Sequence, residues 1–178
     1  MWTFDGDSGS LQVLTGVDGM AARMGHRLTI GVPTWQAELT WEGDQPSALT
    51  LTADVAALVV ESGEGGMTPL TAPERLVARS NALKTLSTTQ FPTVTFETGT
   101  IEPTDTGYRL TGTLEIHGER RDHTVDVAVV DEQISARSQV RQSDFGIKPF
   151  SMMMGGLRVA DVVTVVFSAS ATDSHRAG

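Results

Sequence analysis

The chain of 178 residues contains no cysteine. This excludes a disulfide framework, a thiolate nucleophile, an iron–sulfur cluster and a thiolate-bound zinc ion. Basic side chains are scarce, 13 against 22 acidic ones, for a net charge of −9 and a pI near 4.8. Neutralising a polyphosphate backbone takes clustered lysine and arginine, so nucleic acid is not an expected partner. Long hydrophobic runs are missing too: the stretch Val162 to Phe167 is far short of the roughly 20 apolar residues that cross a bilayer. Met1 to Asp5 has neither the basic region nor the following apolar stretch of a secretory signal. The expectation is a cytoplasmic protein that does not span a membrane.

What is present is a 39% apolar content, enough for one domain with a real core and too much for a disordered or collagen-like chain. Most of it recurs with period two, the pattern of strands with one buried face. Leu28, Ile30 and Val32 alternate with polar or small residues, as do Trp35, Ala37, Leu39 and Trp41, and then Leu49, Leu51, Ala53 and Val55. Tyr108, Leu110, Gly112, Leu114 and Ile116 face Arg109, Thr111, Thr113, Glu115 and His117 across the cleanest strand. Val125, Val127 and Val129 follow a polar turn read at Glu119 to Asp122, and Val163, Val165, Phe167 and Ala169 form the last strand.

At least eight such strands joined by Gly, Asp and Pro turns describe an antiparallel meander, and the long alternating helices of a parallel sheet are absent. One helix is predicted over Thr71 to Leu86, with a capping box at Thr71 and Glu74, Pro73 in the first turn, and Leu76, Val77, Leu83 and Leu86 on one face. A shorter helix is expected around Asp18 to Met24, and Ser62 to Gly66 reads as a mobile loop. The fold class is therefore all-β, an eight-stranded antiparallel barrel with one or two helical insertions. It is read as one domain over residues 1–173 with a C-terminal tail at 174–178. A barrel of this size is either filled by its own side chains or holds one slender ligand. Small inward residues such as Ala37, Ala53, Gly112 and Ala136 fit both.

Three stretches together resemble the YceI-like family of lipocalin-like barrels. Gln90 to Phe96 (Gln-Phe-Pro-Thr-Val-Thr-Phe) is similar to that family's Tyr/Phe-Pro-x-Ile/Val-x-Phe segment. Tyr108 to Gly118 resembles its Gly-x-Leu-x-Ile-His-Gly hairpin strand, and Gln142 to Ile147 followed by Val159 to Val163 its Ser-Asp-Phe-Gly-Ile segment and closing strand. The resemblance implies an extended eight-stranded barrel, lipocalin-like, whose interior takes an isoprenoid chain or a similar long amphiphilic lipid. Inward candidates for contacting it are Phe91, Phe96, Leu114, Ile116, Phe145, Ile147, Phe150, Met153 and Phe167. His26, between Gly25 and Arg27, is placed for a polar head group.

Catalytic readings have thinner support. His117 has the outward parity of its strand and is expected to point away from the interior or into the turn. Ser143, Asp144 and His117 can be drawn as a triad, but adjacent Ser and Asp cannot readily supply nucleophile and orienter around one imidazole, and Gly-x-Ser-x-Gly is absent. No His-x-x-x-His spacing supports a metal. No catalytic residue, metal ligand or cofactor is assigned. The alternatives are a small-molecule isomerase or hydrolase using His26 in the same pocket, and a solid barrel acting as an interaction module. Homodimer formation is left open.

Overall fold

The computed structural model describes residues 1–176. In chain order, β1 (Trp2–Asp5) and β2 (Gly9–Leu14) are followed by the two-residue β3 (Val17–Asp18) and a 3-10 turn at Ala22–Met24. Next come β4 (His26–Gly31), β5 (Trp35–Glu42), β6 (Gln45–Asp54), β7 (Val59–Gly65) and helix α1 (Ala72–Thr85). Strands β8 (Thr93–Pro103), β9 (Gly107–Ile116), β10 (Glu119–Val130) and β11 (Gln133–Arg141) lead to a 3-10 turn at Gln142–Phe145. The chain continues through β12 (Ser151–Met152), β13 (Leu157–Val159), β14 (Val162–Ser170) and β15 (His175–Arg176).

Twelve of these strands form one antiparallel sheet in the order β15-β1-β5-β6-β8-β9-β10-β11-β14-β2-β4-β7. Strands β1 and β2 are the two arms of one bent segment. Ser8 pins the bend: its N–H and Oγ donate to the Asp5 carbonyl, and its Oγ accepts from the Asp5 N–H at 2.7 Å. Because β1 pairs with β5 while β2 pairs with β14, chain continuity through this bend joins the two flanks of the sheet. The result is a barrel-like ring of eight members, with β4 and β7 extending it beyond β2. A second sheet, β12-β13-β3, lies at one end.

Local chemistry explains the elements. In β9, Arg109, Thr111 and Thr113 alternate with Leu110, Gly112 and Leu114, so one face is apolar throughout. The β9–β10 connection is His117-Gly118 with φ of 56° and 75°, so the turn expected at Glu119 to Asp122 instead forms the first residues of β10, paired with Ile116 to Thr113. A two-residue hairpin needs positive φ at both positions, which glycine and, among others, histidine tolerate. Helix α1 begins with the expected capping box, Thr71 and Glu74 satisfying each other's backbone N–H groups.

Several expectations change. Ser62 to Gly65 belongs to β7 and pairs residue for residue with Thr29 to His26 of β4. Gly63 suits this position because a Cβ there would come within 2.8 Å of Leu70. The turn at Ala22–Met24 is a single 3-10 turn. Leu76 and Val77 do not face the core but are 70% and 61% exposed. The helix docks instead through Ala78, Ala82, Leu83 and Leu86 onto Ile30, Leu58 and Val60, the small alanines allowing close approach. Arg79 locks that packing by donating to the carbonyls of Leu58 and Ala56 at 2.7 and 3.1 Å. Residues 175–176, assigned from sequence to a tail, add β15 to the edge of β1. No helix among the described residues is long and apolar enough to cross a membrane.

Candidate functional site

The ring encloses a cavity of about 870 Å³, lined almost wholly by aliphatic and aromatic side chains. Tyr108 and Ile116, at opposite ends of β9, both line it, so at roughly 3.3 Å per residue it follows the wall for about 25 Å. One end is bordered by His26, Phe150, Met152, Leu157 and Arg158, the other by Trp41, Pro46, Val129 and Glu132. Inward side chains such as Leu39, Leu49, Leu51, Val125 and Val127 are only half-buried although they point away from bulk solvent. They face open space, which decides between a filled and a hollow barrel.

Of the residues expected inside, His26, Phe96, Leu114, Ile116, Ile147, Phe150 and Phe167 line this cavity. Phe91, Phe145 and Met153 are not part of its lining. Phe91 lies on the His117 ring, 4.8 Å between centroids. Phe145, 4% exposed, is wedged among Phe96, Leu110, Leu114, Val140 and Ile147 as part of the wall. Met153 is 55% exposed with φ of 54°, in the turn that joins β12 to β13. The period-two pattern places side chains along strands, but these three lie in turns, where parity carries no information.

The histidines are held in different ways. His26 Nε2 donates to the Thr68 carbonyl at 2.7 Å, anchoring the end of β4 to the segment before α1. Glu74, also on the cavity rim, is occupied by the helix cap, and the Thr71 hydrogen bonds hold its carboxyl below the usual range. His117 sits in the hairpin turn: Nδ1 donates to the Phe145 carbonyl at 3.3 Å, and Nε2 pairs with Ser87 Oγ at 3.3 Å. It thus ties the β9–β10 turn to two other segments. Ser143 makes no contact of this kind with His117, because its Oγ and N–H both donate to the Asp161 carboxylate.

The Ser143–Asp161 contact joins the Ser-Asp-Phe-Gly-Ile segment to the start of the closing strand. Asp161 also accepts Gln142 N–H on its backbone oxygen and lies 3.5 Å from Arg141, and so fastens the turn that carries Phe145. The Ser143 hydrogen bonds, helped by Arg141, hold its carboxyl below the ordinary value. That contribution to stability is complete above a pH near 4, the unfolded value, and is lost as pH falls through the depressed folded value. Asp161→Asn is therefore expected to flatten the acid limb of the stability profile, measured by urea unfolding between neutral and strongly acid pH. An unchanged acid limb would contradict this role.

One inward polar residue escaped the sequence reading. His123 of β10 has the parity of Val125 and Val127, projects into the cavity, and lies 2.7 Å from Ser138 Oγ through Nε2. Burial pushes its pKa down and favours the neutral ring. The alternation signal was available two residues upstream of Val125, but a pattern defined by apolar side chains passes over a histidine. Among the described residues, no group of three or more His, Asp or Glu side chains is arranged to hold a metal.

Comparison with known proteins follows the same architecture. Among solved structures, the chain is similar to BcnA of Burkholderia cenocepacia, with a TM-score of 0.67 and 17% identity over 92% of this chain and 96% of that one. It is also similar to the YCEI protein of Campylobacter jejuni, with a TM-score of 0.59 and 15% identity over 83% and 85%. At these identities the likeness concerns the fold. No match is found among curated proteins. Residues 2–171 match the YceI-like domain, which takes in every strand of the eight-membered ring, and the chain belongs to the YceI-like family.

Proposed function

We propose that this protein binds a long apolar or amphiphilic ligand, an isoprenoid or similar lipid, in the barrel interior, for carriage, storage or sequestration and without chemical transformation. The observation that carries this is the continuous apolar cavity along the barrel axis. At about 30 Å³ per water-sized group, 870 Å³ has room for some thirty such groups, or about six five-carbon units. Each unit gains roughly 3 to 4 kcal/mol on leaving water. Four to six units offset an association cost of about 4 to 15 kcal/mol and reach micromolar affinity. A compact polar solute would gain far less in such a cavity.

Small inward residues keep the interior open. Ala37 and Ala136 lie on its wall where larger side chains would fill it. The ring nitrogens of His26 and His117 that face protein groups are engaged in holding loops together. This supports binding over general acid–base chemistry at those two positions. Extraction of the protein purified from its native host, followed by lipid mass spectrometry, is expected to release a long-chain apolar compound. A protein that neither carries such a compound nor binds an uncharged apolar fluorophore would refute the reading.

A further inference from the structure

Along β9, β10 and β11 the cavity wall at mid-height is apolar except where His123 and Ser138 meet. His123 is paired across the sheet with Gly112 of β9, and Ser138 with Val165 of β14. Gly112 can have no side chain, because a Cβ there would fall 2.0 Å from the Glu97 carbonyl oxygen. No side chain from that position therefore covers the imidazole. On another side the ring meets Phe96 edge-on, 6.1 Å between centroids and 89° between planes, which fixes its orientation. Nε2 is taken up by Ser138 Oγ at 2.7 Å. Nδ1 has no hydrogen-bond partner among the described residues and is not sealed off by protein atoms.

We propose that His123 and Ser138 form a polar subsite that takes an uncharged oxygen function of the ligand, a hydroxyl or a carbonyl. The ligand's polar group is then seated at mid-barrel, deeper than the His26 rim. The proposal rests on the cavity holding an apolar chain. A neutral imidazole offers one donor and one acceptor nitrogen, so with Nε2 accepting from Ser138, Nδ1–H donates to a carbonyl or hydroxyl oxygen. With Nε2–H donating to Ser138, Nδ1 accepts from a hydroxyl. An anionic head group is disfavoured at this depth. Apart from the neutral His123, the charged or titratable side chains on the lining, His26, Glu74, Tyr108, Glu132 and Arg158, lie toward the two ends, so a carboxylate at mid-barrel would lose its water without gaining a counter-charge.

The test is displacement of an uncharged naphthylamine fluorophore by hexadecanol, a long-chain methyl ketone, hexadecane and palmitate. The wild-type protein is expected to bind the alcohol and the ketone about tenfold more tightly than the alkane, and to bind palmitate more weakly than the alcohol. His123→Phe keeps the ring against Phe96, and His123→Leu serves as a second variant. Both are expected to hold the alkane at wild-type affinity and to lose the preference for oxygen. In the wild type, the ¹⁵N resonance of His123 Nδ1 is expected to shift on adding hexadecanol and not hexadecane, a change that a role confined to stability does not produce. Equal wild-type affinities for alcohol and alkane, or a tenfold preference that survives in both variants, overturns the subsite. Failure of the wild type to bind the fluorophore or any of the chains overturns the lipid-binding reading instead, so the two failures are distinguishable.

Discussion

Ala136→Trp is expected to lower the affinity for a long-chain apolar probe a hundredfold or more while leaving the thermal midpoint within a few degrees of the wild type. Ala136 projects from β11 into the cavity, between Val127 of β10 and Phe167 of β14. An indole at this position has empty space to enter, so the 1 to 3 kcal/mol strain of overpacking a filled core does not arise. What it displaces is ligand. Excluding even one five-carbon unit removes about 3 to 4 kcal/mol of transfer free energy, more than two decades in affinity. Fluorescence titration with an uncharged apolar fluorophore, alongside calorimetric melting, measures both quantities. A variant that melts much earlier and still binds would mean that the interior at Ala136 is already filled, and the cavity would have to be redrawn.

Phe145→Ala is expected to cost about 3 to 5 kcal/mol of stability, against about 1 kcal/mol for Leu49→Ala. Phe145 is 4% exposed and touches protein on all sides within its cluster. Truncation there leaves a void inside a packed wall, and the surrounding sheet cannot collapse into it. Leu49 borders the cavity and is only half-buried, so its truncation enlarges a space that already exists. Against a typical total of 5 to 15 kcal/mol, the Phe145 loss is a large share of all the stability present. The pair is best measured by urea unfolding of the ligand-free protein, since a bound lipid would add its own linkage. Equal costs at the two positions would show that Phe145 is not a wall residue.

Phe145 also shows how far side-chain chemistry alone carries. A buried aromatic between two strands was legible as important, but whether it faces the lumen or props the wall depends on the turn at Gln142–Phe145. Asp161, 16 residues after Phe145, fastens that turn. The outcome is similar for Phe91, whose ring is drawn to His117 across the hairpin turn and away from the interior. Helix α1 was legible at its start, where Thr71, Pro73 and Glu74 act on their own neighbours. Of its expected buried face, Leu83 and Leu86 do pack on the core while the exposed Leu76 and Val77 do not, because docking selected the alanines that let the helix approach β7.

The Gly-rich end of β7 is the converse case. Ser62 to Gly65 has little strand propensity, yet β4 offers a ready ladder, and pairing overrides what the residues prefer in isolation. His123 falls between these two kinds of outcome. Its parity was readable from β10, and its contact with Ser138 was not, because the two side chains meet only once β10 and β11 are adjacent.

What the sequence by itself determined is the fold class, most strands of the ring with their inward and outward faces, the helix cap and the family. These follow from alternation and from contacts between residues a few positions apart. Only the tertiary structure decided that the barrel is hollow. That property is the difference between the circumference closed by the Asp5–Ser8 bend and the volume of the side chains pointing inward, and neither can be read from one strand at a time. The placement of a single polar pair at mid-height in an apolar wall has the same origin. It arises where β10 and β11 bring His123 and Ser138 together.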